Sequence, residues 1–272
     1  MTTHQSKVDR FRALHAERGI FVIPNPWDVA SARMLVALGF QALATSSGAA
    51  AAVLGRRDGT LSRDEALAHM RAIVEAVDVP VAGDLENGYG DRPEDAAETI
   101  RRAAAVGLAG GSIEDSPSDR TVPGYDLAHA TARVEAAAAA SRETAAGFVL
   151  TARAENFIRG RRDLADTILR LQAYERAGAD VLFAPGLPDL EAVRVVCAAV
   201  SKPVNFMAGI RGASFSVAQL QEAGVKRVST AGSLHRAAVQ GFLDAAREIR
   251  DNGTFTYVER MVTTKELSEL LG

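Results

Sequence analysis

The sequence predicts a closed (β/α)8 TIM barrel with an extra C-terminal helix, on three observations. Short apolar runs alternate eight times with amphipathic stretches of helical length. Alternation of this kind implies a parallel sheet, because parallel neighbours need a crossover of helical length. The third is size: 272 residues, 47% of them hydrophobic, can bury one large core, an ordinary length for an α/β barrel. A doubly wound open sheet is the runner-up. The whole of 1–272 reads as a single domain with a helical tail over about 254–272, and no linker is visible.

Taken in order, a polar helical start over 7–18 leads to an apolar run at 21–23 that ends in Pro24-Asn25-Pro26, a buried strand emptying into a loop. Asp28 is placed to cap a helix running through Ala37. Strand–helix pairs follow at 42–45 with 63–76, 79–83 with 93–105, and 111–113 with 127–145. The second half repeats the pattern at 149–152 with 164–177, 181–184 with 190–200, 204–207 with 217–223, and 227–230 with 233–250. Gly178 and Gly224 stand where helix C-caps belong, just before strands six and eight. The alanines at 136–140, flanked by Glu135 and Arg142, read as ordinary helix. A last helical pattern over 257–272 has no barrel strand to cover.

Composition narrows the class of partner. With 31 basic against 34 acidic residues and a net charge of -3, the chain has no broad basic field of the kind nucleic acid or an anionic membrane requires. A small molecule is the expected partner. The one cysteine, Cys197, lies in the apolar helical pattern of 190–200, so a packed, reduced thiol is expected. Residues 1–12 are polar and lack the apolar core of a signal peptide, and no run of about 18 apolar residues suggests a membrane helix. The expected location is the cytoplasm.

Barrel active sites lie at the C-terminal ends of the strands. Polar residues expected there are Asn25 and Asp28 after strand one, Ser46, Ser47 and Gly48 after strand two, and Asp58 further along that loop. Asp84 and Glu86 follow strand three, Glu114 and Asp115 strand four, Arg153 and Glu155 strand five. Asn205 lies in strand seven, and Ser229 and Thr230 close strand eight. Strand alternation would put Asp84 and Glu86 on one face, and two like charges that close call for a cation between them or a shared proton. Together with Glu114 they form a hard oxygen set suited to Mg2+ (or Mn2+), with one carboxylate binding directly and others through waters. Without histidine or thiol ligands, zinc is disfavoured. Asp28, Asp58 or Asp115 taken singly would be helix caps or surface ion pairs.

The Arg153 fork suits a substrate carboxylate or phosphonate, the competing role being a pair with Glu155 or Glu114. Ser47 and Gly48 could offer backbone N–H groups to an oxyanion. Residues 116–125, rich in turn formers, read as a water-excluding lid or, equally, as a disordered surface excursion. His235 is the one histidine near the expected mouth, with helix surface its expected place and proton transfer an outside role.

The succession Ser46-Ser47-Gly48, Asp58, Gly83-Asp84-Leu85-Glu86-Asn87-Gly88-Tyr89-Gly90, Ile113-Glu114-Asp115 and Thr151-Ala152-Arg153-Ala154-Glu155 resembles the isocitrate lyase / phosphoenolpyruvate mutase superfamily over nearly the whole chain. The resemblance implies Mg2+ at the barrel mouth, with Asp84 as direct ligand and Asp58, Glu86 and Glu114 holding its waters. It also implies that Ser47, Gly48, Ala49 and Arg153 bind the carboxylate end of an α-oxo or α-hydroxy acid, with Asn205 as a further substrate contact and Arg153, Glu114 and Asp58 as catalytic residues. Members break or form C–C or P–C bonds next to an enolate of pyruvate type. They are usually homodimers or homotetramers that exchange a C-terminal helix, a role the tail helix could fill.

Departures from the superfamily pattern shape the expected activity. The Lys-Lys-Cys-Gly-His lid motif of isocitrate and methylisocitrate lyases has no counterpart in 116–125, which holds no lysine, cysteine or histidine. The lid lysine and asparagine of the phosphonate branches are absent too, with only Arg120 as a substitute. Glu86 replaces the second acid of the usual Asp-x-Asp motif, a longer arm to the same waters. The expectation is therefore a Mg2+-dependent carbon–carbon lyase acting on a small α-oxo or α-hydroxy di-acid of oxaloacetate or substituted-malate type through a metal-bound enolate. Phosphoenolpyruvate mutase or phosphonopyruvate-type P–C chemistry is the alternative. A catalytically degraded barrel serving as a binding protein is the alternative of another class, and the retained Asp58, Asp84, Glu86, Glu114 and Arg153 argue against it.

Overall fold

Eight short parallel strands form one sheet: β1 (Phe21–Ile23), β2 (Leu43–Ala44), β3 (Val81–Asp84), β4 (Gly110–Glu114), β5 (Val149–Arg153), β6 (Val181–Phe183), β7 (Val204–Met207) and β8 (Arg227–Ser229). The computed structural model describes residues 3–117, 119, 121–212 and 214–272. Strand order is β1-β8-β7-β6-β5-β4-β3-β2. The remaining seam is bridged where β1 and β2 end: Ala44 N donates to Pro24 O at 3.0 Å. Asn25 fastens the same seam, its Nδ2 donating to Thr45 O at 2.7 Å while its Oδ1 accepts from Thr230 N at 2.9 Å. Alternating strands and helices thus give a (β/α)8 barrel, as the periodicity requires.

The helices are α1 (His4–Ala16), α2 (Val29–Ala37), α3 (Ser47–Val53), α4 (Arg63–Ala76), α5 (Pro93–Ala105), α6 (Leu127–Glu143), α7 (Leu164–Ala177), α8 (Leu190–Ala199), α9 (Val217–Glu222), α10 (Ser233–Asn252) and α11 (Thr264–Leu271). Asp28 caps α2 by accepting from Ser31 N, with the Ser31 hydroxyl answering in a capping box. Gly178 closes α7 in the left-handed conformation that the sequence position required. The helix α3 was not anticipated, since 46–48 read as loop. Its signal was present: Ser46 at the N-cap ahead of four alanines.

One end of the barrel is plugged by α1, whose Val8, Phe11 and Leu14 join Ile23, Ala82, Val149 and Val181 in a core cluster of their own. Gly110 makes room for that plug. A Cβ there would lie 2.6 Å from Val149 O and 2.8 Å from the Phe11 ring. The plug also carries His15, whose Nδ1 lies 2.7 Å from Phe11 O and must donate to it, leaving Nε2 to accept from Arg227 Nη1 at 3.2 Å.

Burial, assisted by the Arg227 charge, pushes the His15 imidazole down to about 3. The unfolded chain takes up this proton near 6.5 and the folded chain does not, so stability falls as pH drops from the unfolded value toward the folded one. The His15→Gln variant is expected to lose less stability than the parent between pH 6.5 and pH 4. Urea midpoints at the two pH values check this, and equal slopes would contradict the buried neutral imidazole.

The C-terminal region carries the extra helix, preceded by a short turn. The pattern over 257–272 resolves into a 3-10 turn (Thr256–Arg260) followed by α11, which lies against α2. Neither α10 nor α11 buries a residue, and Phe242 on α10 is 70% exposed. Among the described residues no helix is long and apolar enough to cross a membrane. Cys197 is half-buried, and burial pushes its thiol up to about 11, which suits a packing role.

Candidate active site

Asp84, Glu114 and Arg153 are each the last residue of their strand, β3, β4 and β5, so the barrel delivers all three to one rim. Register does the rest, pairing Glu114 directly with Arg153 on the neighbouring strand. The guanidinium is ringed by acid: Nη1 lies 3.0 Å from Asp84 Oδ1, and Nη2 3.2 Å from Glu114 Oε2 and 2.9 Å from Glu155 Oε1. Nε also donates to Glu155 at 3.0 Å, and the ring of Phe183 lies 5.2 Å beneath the charge. Burial alone would lower the arginine, but Glu155, Glu114 and Asp84 hold it above its ordinary value. One cation cannot satisfy three buried acids. Burial, then the Glu155 and Asp84 charges, keep the Glu114 carboxyl well above the usual range in spite of Arg153.

The repulsion among Asp84, Glu114 and Glu155 is therefore answered by an arginine and by a raised carboxyl at Glu114. Arg153 pairs with both acids foreseen as its alternatives and with Asp84 in addition. Glu155, expected at the mouth but given no catalytic or binding role there, is the acid it holds most closely.

Asp84 and Glu86 do share a cavity, but not through strand alternation. The strand β3 stops at Asp84, and Glu86 turns into the left-handed region at φ 48. There its carbonyl accepts from Glu114 N at 2.9 Å. Tyr89 adopts φ 57, and a left-handed non-glycine costs about 1–2 kcal/mol. Arg133 on α6 holds this turn in place, with Nη1 donating to Gly90 O at 2.8 Å and Nη2 to Asn87 O.

The acids Asp58, Asp84, Glu86 and Glu114 line one cavity of about 520 Å3, with Arg153 and Asn205 in its wall. Ser47, Gly48 and Ala49 line it as well, at the start of α3. Their N–H groups are partly engaged: Ser47 N donates to Asp84 Oδ2 at 3.0 Å, and Ala49 N to the Ser46 hydroxyl at 3.4 Å. Gly48 lies close against Asp58: a Cβ there would approach Asp58 Cγ to 3.3 Å, so the acid would have to shift by a few tenths of an ångström. The Asn205 amide is committed within the barrel, donating to Ser229 Oγ at 3.0 Å and accepting from Arg227 Nε at 2.8 Å. His235 reaches the cavity wall, edge-on to Trp27 at 5.5 Å.

Asp115 turns away from the cavity. Its carboxylate accepts from Glu155 N at 2.8 Å, Arg170 Nη1 at 2.9 Å and the Tyr174 hydroxyl at 2.5 Å, a buried structural hub. The candidate lid also lies elsewhere. Described residues of 116–125 line a separate hollow with Arg63, Tyr89 and Asp91, and none of them lines the acid cavity. Ser118 and Arg120, the latter the proposed lysine substitute, lie outside the described residues. A different cation, Arg159, reaches the base of that segment. Its Nη2 donates to Pro117 O at 2.7 Å and lies 3.8 Å from Glu114 Oε1. Its position four residues beyond Glu155 was the only sequence clue.

The donor chemistry fits a hard divalent cation, being all oxygen and in excess of the positive charge at Arg153. Among the described residues no three acidic, histidine or cysteine side chains converge to chelate an ion directly. An ion that keeps several waters would meet this geometry through Asp84 with the other acids further out.

A parallel barrel with an acid-ringed arginine over an oxygen-lined cavity at its strand ends defines an enzyme acting on a small polar molecule. The chain belongs to the phosphoenolpyruvate phosphomutase family, whose sequence profile matches residues 11–250. It is thereby an enzyme of the phosphoenolpyruvate mutase / isocitrate lyase superfamily. A crystal structure from Burkholderia cenocepacia J2315 is 47% identical and superimposes with a TM-score of 0.95, over 97% of this chain and 96% of that one. The 2-methylisocitrate lyase of Halalkalibacterium halodurans is 29% identical over 97% of this chain and 89% of its own length. The oxaloacetate decarboxylase of Pseudomonas fluorescens is 28% identical over 91% and 86% respectively.

Proposed function

We propose that the chain is a Mg2+-dependent carbon–carbon lyase acting on a small α-oxo or α-hydroxy di-acid of oxaloacetate or substituted-malate type, by way of an enolate. The observation that carries this reading is the surplus of buried carboxylate around Arg153, with Glu114 held protonated more readily than an ordinary acid. Asp84 would hold the cation, with Asp58, Glu86 and Glu114 around its waters. Bound there, a divalent cation supplies Lewis-acid stabilisation of charge developing on the substrate oxygens.

The chain's own residues do the positioning. Arg153 and the backbone at 47–49 orient the carboxylate end. Glu155 fixes the Arg153 plane, and Asp115, through the Glu155 N–H, fixes Glu155. Chemistry that leaves an enolate suits a cavity without the lid cysteine, since water can return the proton.

The relatives support a lyase of this general kind, and the family's name supports P–C chemistry as the second reading. The exposed apolar residues of the C-terminal region, Phe242 on α10 with Phe255 and Met261 after it, support a homodimer or homotetramer in which this region meets the partner. A reducing cytoplasmic setting belongs to the same reading, given a single half-buried thiol.

Turnover of oxaloacetate and alkyl-malates with Mg2+, measured beside phosphonopyruvate and phosphoenolpyruvate, tests the reaction. Carbon acids are expected to turn over, and Asp84→Asn to lower kcat/KM by about 100-fold or more, the scale of losing one electrostatic stabiliser. Turnover of the phosphorus substrates alone would establish the second reading. Calorimetric titration of oxalate with Mg2+ separates both from a binding-only barrel, which would show no metal-dependent binding.

A further inference from the structure

The cavity does not end at the acid rim. It continues down the barrel axis to Arg227, the first residue of β8, which is only 5% exposed and still lines it. Barrel interiors are ordinarily filled by bulky branched side chains. Here the inward positions include Ala44, Ala82, Ser112, Thr151 and Ser229, too small to fill the lumen.

Arg227 is held by three neutral groups: Nε donates to Asn205 Oδ1 at 2.8 Å, Nη2 to Thr151 Oγ1 at 3.0 Å and Nη1 to His15 Nε2 at 3.2 Å. His15 cannot supply the missing negative charge, because its Nδ1 proton is committed to Phe11 O and its ring is neutral. Among the described residues no carboxylate pairs with Arg227, and burial alone pushes the guanidinium down to about 9. A buried charge without a partner is strongly disfavoured. Of the five N–H groups of an arginine, these contacts engage Nε and one on each terminal nitrogen. One N–H on each terminal nitrogen is left for a ligand.

We propose that Arg227 is a second anion-binding group, at the floor of the cavity, that takes the distal carboxylate of a di-acid whose α-carboxylate end is held at the rim. Asn205 and Thr151 are positioning residues that set its plane. The proposal rests on the reading that the rim takes a carboxylic acid, and it explains why the substrate should be dibasic. Thr151 lies two residues below Arg153 on β5, so the two guanidinium groups stand one inward layer apart, roughly 6–7 Å along the strand. A short di-acid spans that step. The cavity is then polarised, acid and cation at the mouth and an unpaired cation below, which orients the substrate as well as selecting it.

The test is calorimetric titration of the full-length protein with Mg2+, using malate against 2-hydroxybutyrate, in which a methyl replaces the distal carboxylate, and oxalate as a rim probe. Wild type is expected to prefer malate by at least about tenfold, the scale of a charged hydrogen bond. Arg227→Met should erase the preference while leaving 2-hydroxybutyrate affinity within about twofold, and Arg227→Lys should keep part of it.

A malate preference that survives in Arg227→Met overturns the proposal, as does its absence from wild type while oxalate binds. Failure of oxalate to bind wild type instead overturns the reading of the rim. Thermal unfolding separates binding from a structural role. Removing an unpaired buried cation should leave the melting temperature unchanged or raised, and malate should raise it further than 2-hydroxybutyrate does only where Arg227 or Lys is present. If Arg227→Met does not fold, the wild-type comparison and Arg227→Lys still decide the matter.

Discussion

Arg153→Met should unfold at markedly lower urea concentration than the parent, a loss of about 3–5 kcal/mol at neutral pH, the scale for removing one partner of a buried ion pair. Asp84, Glu114 and Glu155 would then face one another with only Arg159, 3.8 Å from Glu114, as a nearby cation. The companion change Glu155→Gln removes one of those charges, so Arg153→Met with Glu155→Gln should be less destabilised than the sum of the two single changes. Additive losses would mean that the two residues do not act as a unit. Turnover should vanish in both Arg153 variants, because the same guanidinium orders the acid rim and faces the cavity.

Asp115→Ala should cost a similar amount, about 3–5 kcal/mol, although Asp115 itself does not line the cavity. Its carboxylate is the common acceptor for Arg170, Tyr174 and the Glu155 N–H, and alanine would leave the buried Tyr174 hydroxyl without its acceptor and Arg170 with Asp166 as its remaining acid. Asp115→Asn retains the shape but not the charge, and should cost less, about 1–3 kcal/mol. Because the Asp115 carboxylate reaches the Arg153 guanidinium through Glu155, the asparagine variant should lower kcat more than it raises KM. Asp115→Asn as stable and active as the parent would remove the hub from the account.

Strand and helix positions were legible because each is set locally. Apolar runs of strand length, Asp28 ahead of α2 and Gly178 behind α7 specify their elements within a few residues. The acids were legible for a related reason: once β3, β4 and β5 are placed, barrel geometry sends their last residues to one rim. Segments without such local signals were misjudged. Glu86 was assigned by a two-residue period that the chain abandons at Asp84, and the backbone pays strain for the turn that brings it back. The docking of α11 against α2 had no local signal either, because contacts between distant segments set it.

By itself, then, the sequence determined the alternating units, their caps, and which strand ends carry Asp84, Glu114 and Arg153, since all of these follow from periodicity and turn chemistry along the chain. Tertiary structure alone decided who meets whom. That Glu155 grips Arg153 while Asp115 turns outward to Arg170 depends on neighbouring strands and on α7. That Arg227 lies buried beneath the acid rim without a counter-charge depends on residues 22, 76 and 212 positions away in sequence. Burial and pairing across such separations set the charge state of a side chain, and no local pattern records them.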